Sequence, residues 1–189
     1  MYRVNEIFYS LQGEGGNAGK PTVFVRFSGC NLSCDFCDTD FSSYTQMTAE
    51  DIVSAVCAFP SDLVVLTGGE PSLQVDKTLV DALHAVNKCL AIETNGTRPL
   101  PDDIDYITVS PKESGKLVLS EADEVKIVYT HQDVEKYRRL ISAPRYFLQP
   151  CSILKNGKYM DNREEVIRYC LEHPWWQLSL QIHKILNIQ

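Results

Sequence analysis

The sequence has no excess of positive charge. Its 18 lysine and arginine residues stand against 25 aspartate and glutamate residues, which gives a formal net charge of -7 at pH 7. Proteins that bind the phosphate backbone of nucleic acids present broad basic surfaces. The one dense basic cluster, at residues 136–139, lies in a helical pattern and is interpreted as a solvated helix face. We therefore expect no nucleic-acid partner.

Long hydrophobic runs are absent as well. The chain contains no uninterrupted apolar stretch long enough to span a bilayer. Residues 1–6 lead into no apolar segment typical of a signal peptide. The seven cysteines are odd in number and unevenly spaced, unlike the disulfide framework of a secreted protein. These features predict a cytoplasmic protein with no membrane partner.

What the sequence does contain is a regular alternation of strand-like and helix-like segments. Its 189 residues predict a single domain, residues 1–189. Such alternation is typical of parallel β/α units, but a complete eight-unit barrel needs roughly 250 residues. The predicted fold class is therefore α/β, a partial, open parallel β/α barrel. Strands are expected at residues 22–27, 63–66, 89–92, 106–109, 125–128, 146–148 and 176–181, and helices after Thr48 and at residues 75–87, 131–141 and 162–173.

Polar or glycine-rich clusters follow directly after five of the predicted strands. In parallel α/β folds the carboxyl ends of the strands carry the active site. We therefore expect the five clusters to converge on one shared site. They are residues 29–39, 67–71, 93–96, 110–112 and 149–150.

The first cluster, GCNLSCDFCDT at residues 29–39, holds Cys30, Cys34 and Cys37. Packing alone does not explain three cysteines so close together on a loop with glycine and asparagine. A zinc site would need a fourth ligand, such as Asp38 or a distant histidine. A redox pair of Cys34 and Cys37 would leave Cys30 without a role. A 4Fe-4S cluster held by three thiolates would leave one iron open to an external ligand.

The spacing C-x3-C-x2-C after one strand, with Gly68-Gly69-Glu70-Pro71 after the next, resembles the radical S-adenosylmethionine (SAM) superfamily. The resemblance implies a partial barrel of the radical SAM type and a 4Fe-4S cluster bound by Cys30, Cys34 and Cys37. It also implies that SAM chelates the open iron. In this superfamily an electron from the cluster breaks the sulfonium bond, and a 5′-deoxyadenosyl radical then takes hydrogen from the substrate. The protein mainly positions these groups.

The same resemblance implies which residues contact SAM. Without a Cβ, the double glycine allows its backbone to approach a ligand closely, although two glycines alone would be interpreted as a tight turn. The implied SAM contacts are Phe36, Cys37, Asp38, Gly69, Ser110, Pro111, Lys112 and Gln149.

The two ends of the chain narrow the resemblance. EIFYSLQGEG at residues 6–15, Phe24-Val25-Arg26 and WQLSLQIHK at residues 176–184 resemble the 7-carboxy-7-deazaguanine synthase family. Members of this family convert 6-carboxy-5,6,7,8-tetrahydropterin to 7-carboxy-7-deazaguanine with ring contraction and loss of ammonia. The product leads to queuosine and related deazapurines. The resemblance therefore implies a lyase that regenerates SAM.

A pterin substrate implies further contacts. Its carboxylate needs positive charge, for which Arg26 offers a rigid fork of donors, and its pyrimidinone edge needs donors and acceptors. The implied substrate-binding residues are Leu11, Gln12, Gly13, Arg26, Thr67 and Gln189, the last through its terminal carboxylate. The apolar residues 182–188 predict that this terminal segment docks against the core.

Thr39 follows the cysteine motif and on its own would be interpreted as a turn or helix-cap residue. By resemblance its hydroxyl binds Mg²⁺, with the substrate carboxylate and water completing the shell, which is normal magnesium behaviour. The family further implies a homodimer and an electron donor such as a flavodoxin or ferredoxin.

Two alternatives belong to other functional classes. A glycyl-radical activating enzyme would share the cysteine loop and Gly68-Gly69-Glu70-Pro71, but the QGEG stretch at residues 12–15 counts against it. A zinc-stabilised binding module would be colourless, whereas a 4Fe-4S protein is brown. The remaining cysteines lie in apolar patterns and are predicted to be core thiols: Cys57, Cys89, Cys151 and Cys170.

Overall fold

The computed structural model describes residues 1–37, 39–40, 42–155 and 158–189, with the backbone alone for residues 153–155 and 158–160. Within this part of the chain the strands are β1 (Tyr2–Leu11), β2 (Pro21–Phe27), β3 (Thr45–Met47), β4 (Leu63–Gly68), β5 (Cys89–Thr94), β6 (Tyr106–Val109), β7 (Glu124–Tyr129), β8 (Tyr146–Pro150), β9 (Ser152–Lys155), β10 (Lys158–Asp161) and β11 (Trp176–Leu178). The α-helices are α1 (Ala49–Cys57), α2 (Lys77–His84), α3 (Glu135–Leu140), α4 (Arg163–Glu172) and α5 (Ile182–Leu186).

One nine-stranded sheet has the order β11-β8-β7-β6-β5-β4-β2-β1-β3. Every neighbouring pair from β2 to β11 is parallel, whereas β1 is antiparallel to both β2 and β3. Strands β9 and β10 form a separate antiparallel hairpin. Because the sheet has two ends, β3 and β11, the barrel is open. The predicted partial, open parallel barrel is confirmed.

Strand β4 shows how the sheet separates two environments. Its side chains alternate between faces, so Val64 and Leu66 join the outer core with α1 and α2. Val65 points inward and packs with Phe24 and Ala91. A second outer core lies between β6–β8 and the helices α3 and α4. The inner face is apolar at one end only, which leaves its carboxyl end for polar groups.

Helices α1 and α2 are fixed by side-chain caps at their amino termini. Thr48 Oγ1 accepts from Asp51 N at 3.1 Å, and Asp51 Oδ2 accepts from Thr48 N at 2.9 Å, which is a complete capping box. The predicted cap at Thr48 is therefore confirmed. Asp76 Oδ1 caps α2 at Leu79 N and also accepts from the Tyr2 hydroxyl, so this helix is tied to β1 and begins later than residue 75.

Three predictions of local structure need correction. Helix α3 begins at Glu135 rather than at residue 131, because His131 has a φ of +70°, which a right-handed helix excludes. Strand β11 ends at Leu178, short of residue 181. The four cysteines predicted as core thiols are not buried: Cys57 and Cys89 are exposed, and Cys151 and Cys170 are half-buried. None of the described helices is long and apolar enough to cross a membrane.

Candidate active site

A cavity of about 750 Å³ lies at the carboxyl end of the parallel strands. All five predicted polar clusters contribute to its wall, so their expected convergence is confirmed. The predicted site residues in the wall are Leu11, Gln12, Gly13, Arg26, Cys30, Cys34, Phe36, Cys37, Thr39, Thr67, Gly69, Ser110, Lys112, Gln149 and Gln189. Pro111 is buried but is not among the described wall residues. Asp38 lies outside the described residues.

The cysteine loop presents three thiols to the cavity. Cys37 N donates to Cys34 O at 3.0 Å, and Leu32 N donates to Cys30 Sγ at 3.4 Å. Burial raises the pKa of the Cys34 thiol, nearby Cys30 and Cys37 raise it further, and Lys112 opposes the shift. In the described residues these side chains are not gathered as a closed metal site. Their chemistry nevertheless fits a cluster, since thiolates bind iron and lose their protons on binding.

The double glycine is packed against the start of the cysteine loop. A Cβ on Gly68, whose φ is +135°, would collide with the backbone of Phe27, and a Cβ on Gly69 would collide with the Gly29 carbonyl. Gly69 N donates to Phe27 O at 3.0 Å, and Glu70 N donates to Gly29 O at 2.9 Å. The close approach expected for these glycines is thus made, in this structure, to the backbone of the cysteine loop.

Lys112 follows β6 and lines the same cavity. Its Nζ donates to both the carbonyl and the hydroxyl of Ser110, at 2.7 Å each. Burial lowers the pKa of Lys112, while Cys34 and more distant carboxylates oppose the shift. Gln149, at the end of β8, is buried and accepts from Ser179 Oγ at 2.9 Å. The residues predicted to surround SAM thus come from the ends of four strands, β2, β4, β6 and β8.

A buried ion network, which the sequence did not predict, forms another part of the cavity. Lys126 Nζ lies 2.6 Å from Glu14 Oε2 and 3.0 Å from Glu93 Oε1. Burial opposes ionisation of Glu14, but attraction to Lys126 together with hydrogen bonds from Lys126 and Gln181 outweighs it and lowers the pKa of Glu14 to about 2. Burial likewise opposes the charge on Lys126, but Glu14 and Glu93 together raise its pKa. The cavity therefore contains the Glu14 carboxylate in its ionised, acceptor-only form.

The loop after β1 is held inside the barrel by its own polar groups. Gln12 Nε2 donates to Glu93 Oε1 at 3.1 Å, and Gln12 Oε1 accepts from Glu14 N at 3.2 Å. Gly16 N donates to Glu124 Oε2 at 2.9 Å. The amide of Gln12 is therefore already engaged, and Glu93, from the predicted cluster at residues 93–96, provides an acceptor beside it.

Residues 182–189 lie against the same loop. Ile182 N donates to Gly13 O at 3.0 Å, and Ser10 Oγ donates to Gln189 O at 2.6 Å. The predicted docking of this segment against the core was wrong, since its helix α5 has no buried residue. Ile185 and Leu186 are 59% and 54% exposed, so polar contacts rather than apolar burial hold the segment.

Arg26 points into the cavity from β2. Its Nε donates to Glu6 Oε1 at 2.8 Å, and Glu6 Oε2 accepts from Gln189 Nε2 at 3.0 Å. The guanidinium also lies over the Phe8 ring, 5.7 Å from its centroid. Glu6 and the aromatic ring thus orient the arginine and connect it to the end of the chain.

Comparisons with known proteins agree with this geometry. The Radical SAM superfamily model matches residues 24–110. Over 189 residues, which is 100% of both chains, the protein is 50% identical to 7-carboxy-7-deazaguanine synthase of Bacteroides thetaiotaomicron. It is 44% identical to the synthase of Nitratidesulfovibrio vulgaris, covering 99% of each chain. A crystal structure of QueE from Escherichia coli matches with a TM-score of 0.78 and 28% identity, covering 96% of this chain and 94% of that one. The chain belongs to the 7-carboxy-7-deazaguanine synthase family of radical SAM enzymes.

Proposed function

We propose that this protein converts 6-carboxy-5,6,7,8-tetrahydropterin to 7-carboxy-7-deazaguanine, with ring contraction and loss of ammonia, in the biosynthesis of queuosine or a related deazapurine. The observation that carries the proposal is full-length identity of 50% to a synthase of that name. The cavity supports it, because the cysteine loop, the double-glycine loop and a polar pocket with fixed charges share one wall.

We assign the 4Fe-4S cluster to Cys30, Cys34 and Cys37, the thiols that share the cavity wall. When bound, the cluster and SAM supply one-electron cleavage of the sulfonium bond and a radical that abstracts hydrogen. The chain itself surrounds SAM with polar groups at the strand ends and, through Phe36, with an aromatic ring. We assign the SAM contacts to Phe36, Cys37, Asp38, Gly69, Ser110, Pro111, Lys112 and Gln149.

The substrate occupies the part of the cavity beside the loop that joins β1 to β2. Arg26 binds its carboxylate through the terminal guanidinium nitrogens, since Nε already donates to Glu6. Gln12 and Lys126 both donate to Glu93 Oε1 and so orient this carboxylate. Its oxygens have further lone pairs, which accept from the N–H groups of the pyrimidinone edge. The further contacts are Leu11, Gln12, Gly13, Thr67 and Gln189, all in the cavity wall.

Thr39 binds Mg²⁺ in this proposal. Thr39 is half-buried and lines the cavity next to the cysteine loop. Magnesium keeps several waters and needs few protein ligands, so one hydroxyl and the substrate carboxylate suffice to place it. Thr39 would hold the ion, which when bound would supply orientation of the substrate carboxylate and stabilisation of negative charge.

The proposal also covers the electron donor, the cellular location and the oligomeric state of the enzyme. A flavodoxin or ferredoxin donates the electron, and the protein acts as a cytoplasmic homodimer in which residues 1–189 form one domain. Large apolar side chains that remain exposed on neighbouring carboxyl-terminal elements support the dimer: Leu171, Trp175, Ile185 and Leu186.

Anaerobic assay of the reconstituted protein tests the proposal. With SAM, Mg²⁺, reductant and the carboxytetrahydropterin present, we expect the deazaguanine chromophore to appear, and we expect omission of SAM or reductant to abolish it. Cys34→Ala removes a cluster ligand and should lose iron and turnover. Cys57→Ala is the matched control, since Cys57 is exposed on α1, outside the cavity wall. Full iron content and turnover in Cys34→Ala would refute the ligand assignment.

A further inference from the structure

The carboxylate of Glu70 is a buried hydrogen-bond centre. This side chain is 1% exposed and accepts from Thr94 Oγ1 at 2.6 Å, Asn95 N at 2.7 Å and Ser72 N at 3.0 Å. Its own backbone N donates to Gly29 O, one residue before Cys30. Three donors on one buried carboxylate leave it little freedom, because breaking any of these bonds would leave a buried polar group without a partner. Glu70 therefore joins the end of β5 to the start of the cysteine loop.

Asn95 continues this connection on its other side. Its Nδ2 donates to Asn31 Oδ1 at 3.0 Å, and its Oδ1 accepts from the Thr97 hydroxyl at 2.7 Å. Asn31 Nδ2 in turn donates to Thr97 Oγ1 at 2.8 Å, which closes a ring of three side chains. Asn31 itself is exposed and directly follows Cys30. An exposed asparagine would otherwise sample several rotamers, so the ring fixes it.

We propose that Glu70 and Asn95 are positioning residues that hold the first half of the cysteine loop in place before a cluster is bound. Glu70 fixes the backbone at Gly29 and orients Asn95, which then anchors the loop through Asn31. The functional part of this inference rests on the proposed function, since it takes the loop as the cluster-binding element. The anchoring of the loop by these side chains concerns this chain alone and is measurable without cofactors.

Hydrogen exchange in the cluster-free protein measures the anchor directly. Asn31→Ala removes both side-chain bonds of an exposed residue, and Asn95→Ser keeps a short acceptor for Thr97 N but no longer reaches Asn31. Each variant should speed exchange of a peptide covering residues 29–33 about fivefold, the effect of losing one typical hydrogen bond. Asn5→Ala is the matched control, because it also removes two side-chain bonds, both to Ser43, and should leave that peptide unchanged.

The double variant Asn31→Ala/Asn95→Ser distinguishes one anchor from two independent contacts. If the residues act together, its exchange matches that of either single variant. In the reconstituted protein, the same variants should broaden the electron paramagnetic resonance signal of the reduced cluster with SAM bound.

Unchanged exchange in both single variants, or fully additive effects in the double variant, would overturn the inference. If the variants show the expected exchange but the wild-type protein makes no deazaguanine, the anchor stands and the proposed function is refuted.

Discussion

Lys126 Nζ lies 2.6 Å from Glu14 Oε2, so a lysine in the middle of β7 holds the loop that follows β1 inside the barrel. The lysine side chain is 4% exposed and also contacts Glu93, on β5. A buried charge is tolerated only with compensating partners. One lysine thus orients two carboxylates of the cavity and connects three strands.

Lys126→Met should destabilise the protein strongly. The substitution keeps most of the side-chain volume but leaves Glu14 and Glu93 without their buried counter-charge, a change that typically costs about 3–5 kcal/mol. Urea unfolding of the cluster-free protein measures the difference. Lys77→Met is the matched control, because Lys77 pairs with Asp81 on the surface of α2 and should change stability little. Equal stability of Lys126→Met and wild type would contradict the network.

The pH dependence of stability should report Glu14. Its pKa is about 2 in the folded protein against an ordinary value of 4.5, so the folded state favours the ionised form. The resulting stabilisation is fully present above pH 4.5 and is lost as the pH falls toward about 2. Glu14→Gln should therefore flatten the decline of unfolding free energy over this acid range, measured by urea titrations at each pH. A decline of the same slope in both proteins would show that other groups dominate.

The sequence predicted the sheet well where strands are central and continuously apolar. Residues 63–66 read as a strand buried on both faces, and β4 has that environment. The sequence did not predict β1, since its residues alternate irregularly between core, cavity and solvent. It also missed the start of α3, because the positive φ of His131 has no signature in a histidine.

The candidate site was likewise predictable from the sequence only in part. Short-range motifs such as the cysteine loop and the double glycine could be predicted, because neighbours in sequence bring their groups together. Lys126 and Glu14 are 112 positions apart in the sequence, and they meet because the loop that joins β1 to β2 enters the barrel. No local pattern contains that information. The QGEG stretch at residues 12–15 placed Glu14 in a motif but did not indicate its partner.

Gly69→Ala should displace the cysteine loop. A Cβ at this position collides with the carbonyl of Gly29 and approaches Cys30 N, and backbone atoms cannot move aside as a flexible side chain can. We expect severe loss of iron after reconstitution. Gly19→Ala is the control: its φ is +84° but no atom lies within 4 Å of the added Cβ. It should cost only the strain of a left-handed alanine, about 1–2 kcal/mol, and retain iron. Normal iron in Gly69→Ala would contradict the packing account.

Thr39→Val should separate the magnesium assignment from the cluster assignment. Valine keeps the shape of threonine but removes the hydroxyl, so iron content should stay normal while activation by Mg²⁺ is lost and turnover falls. The measurement is initial rate against magnesium concentration. Thr45→Val, on the exposed strand β3, is the control and should retain activation. An unchanged magnesium dependence in Thr39→Val would place the ion elsewhere.

The most direct test of the account is a single anaerobic time course with the carboxytetrahydropterin in excess over SAM. Mass spectrometry follows substrate, 7-carboxy-7-deazaguanine and 5′-deoxyadenosine in the same samples. The account predicts that the deazaguanine accumulates beyond the amount of SAM supplied, because SAM is regenerated in each turnover. Cleavage of SAM to 5′-deoxyadenosine with no loss of the pterin would contradict it.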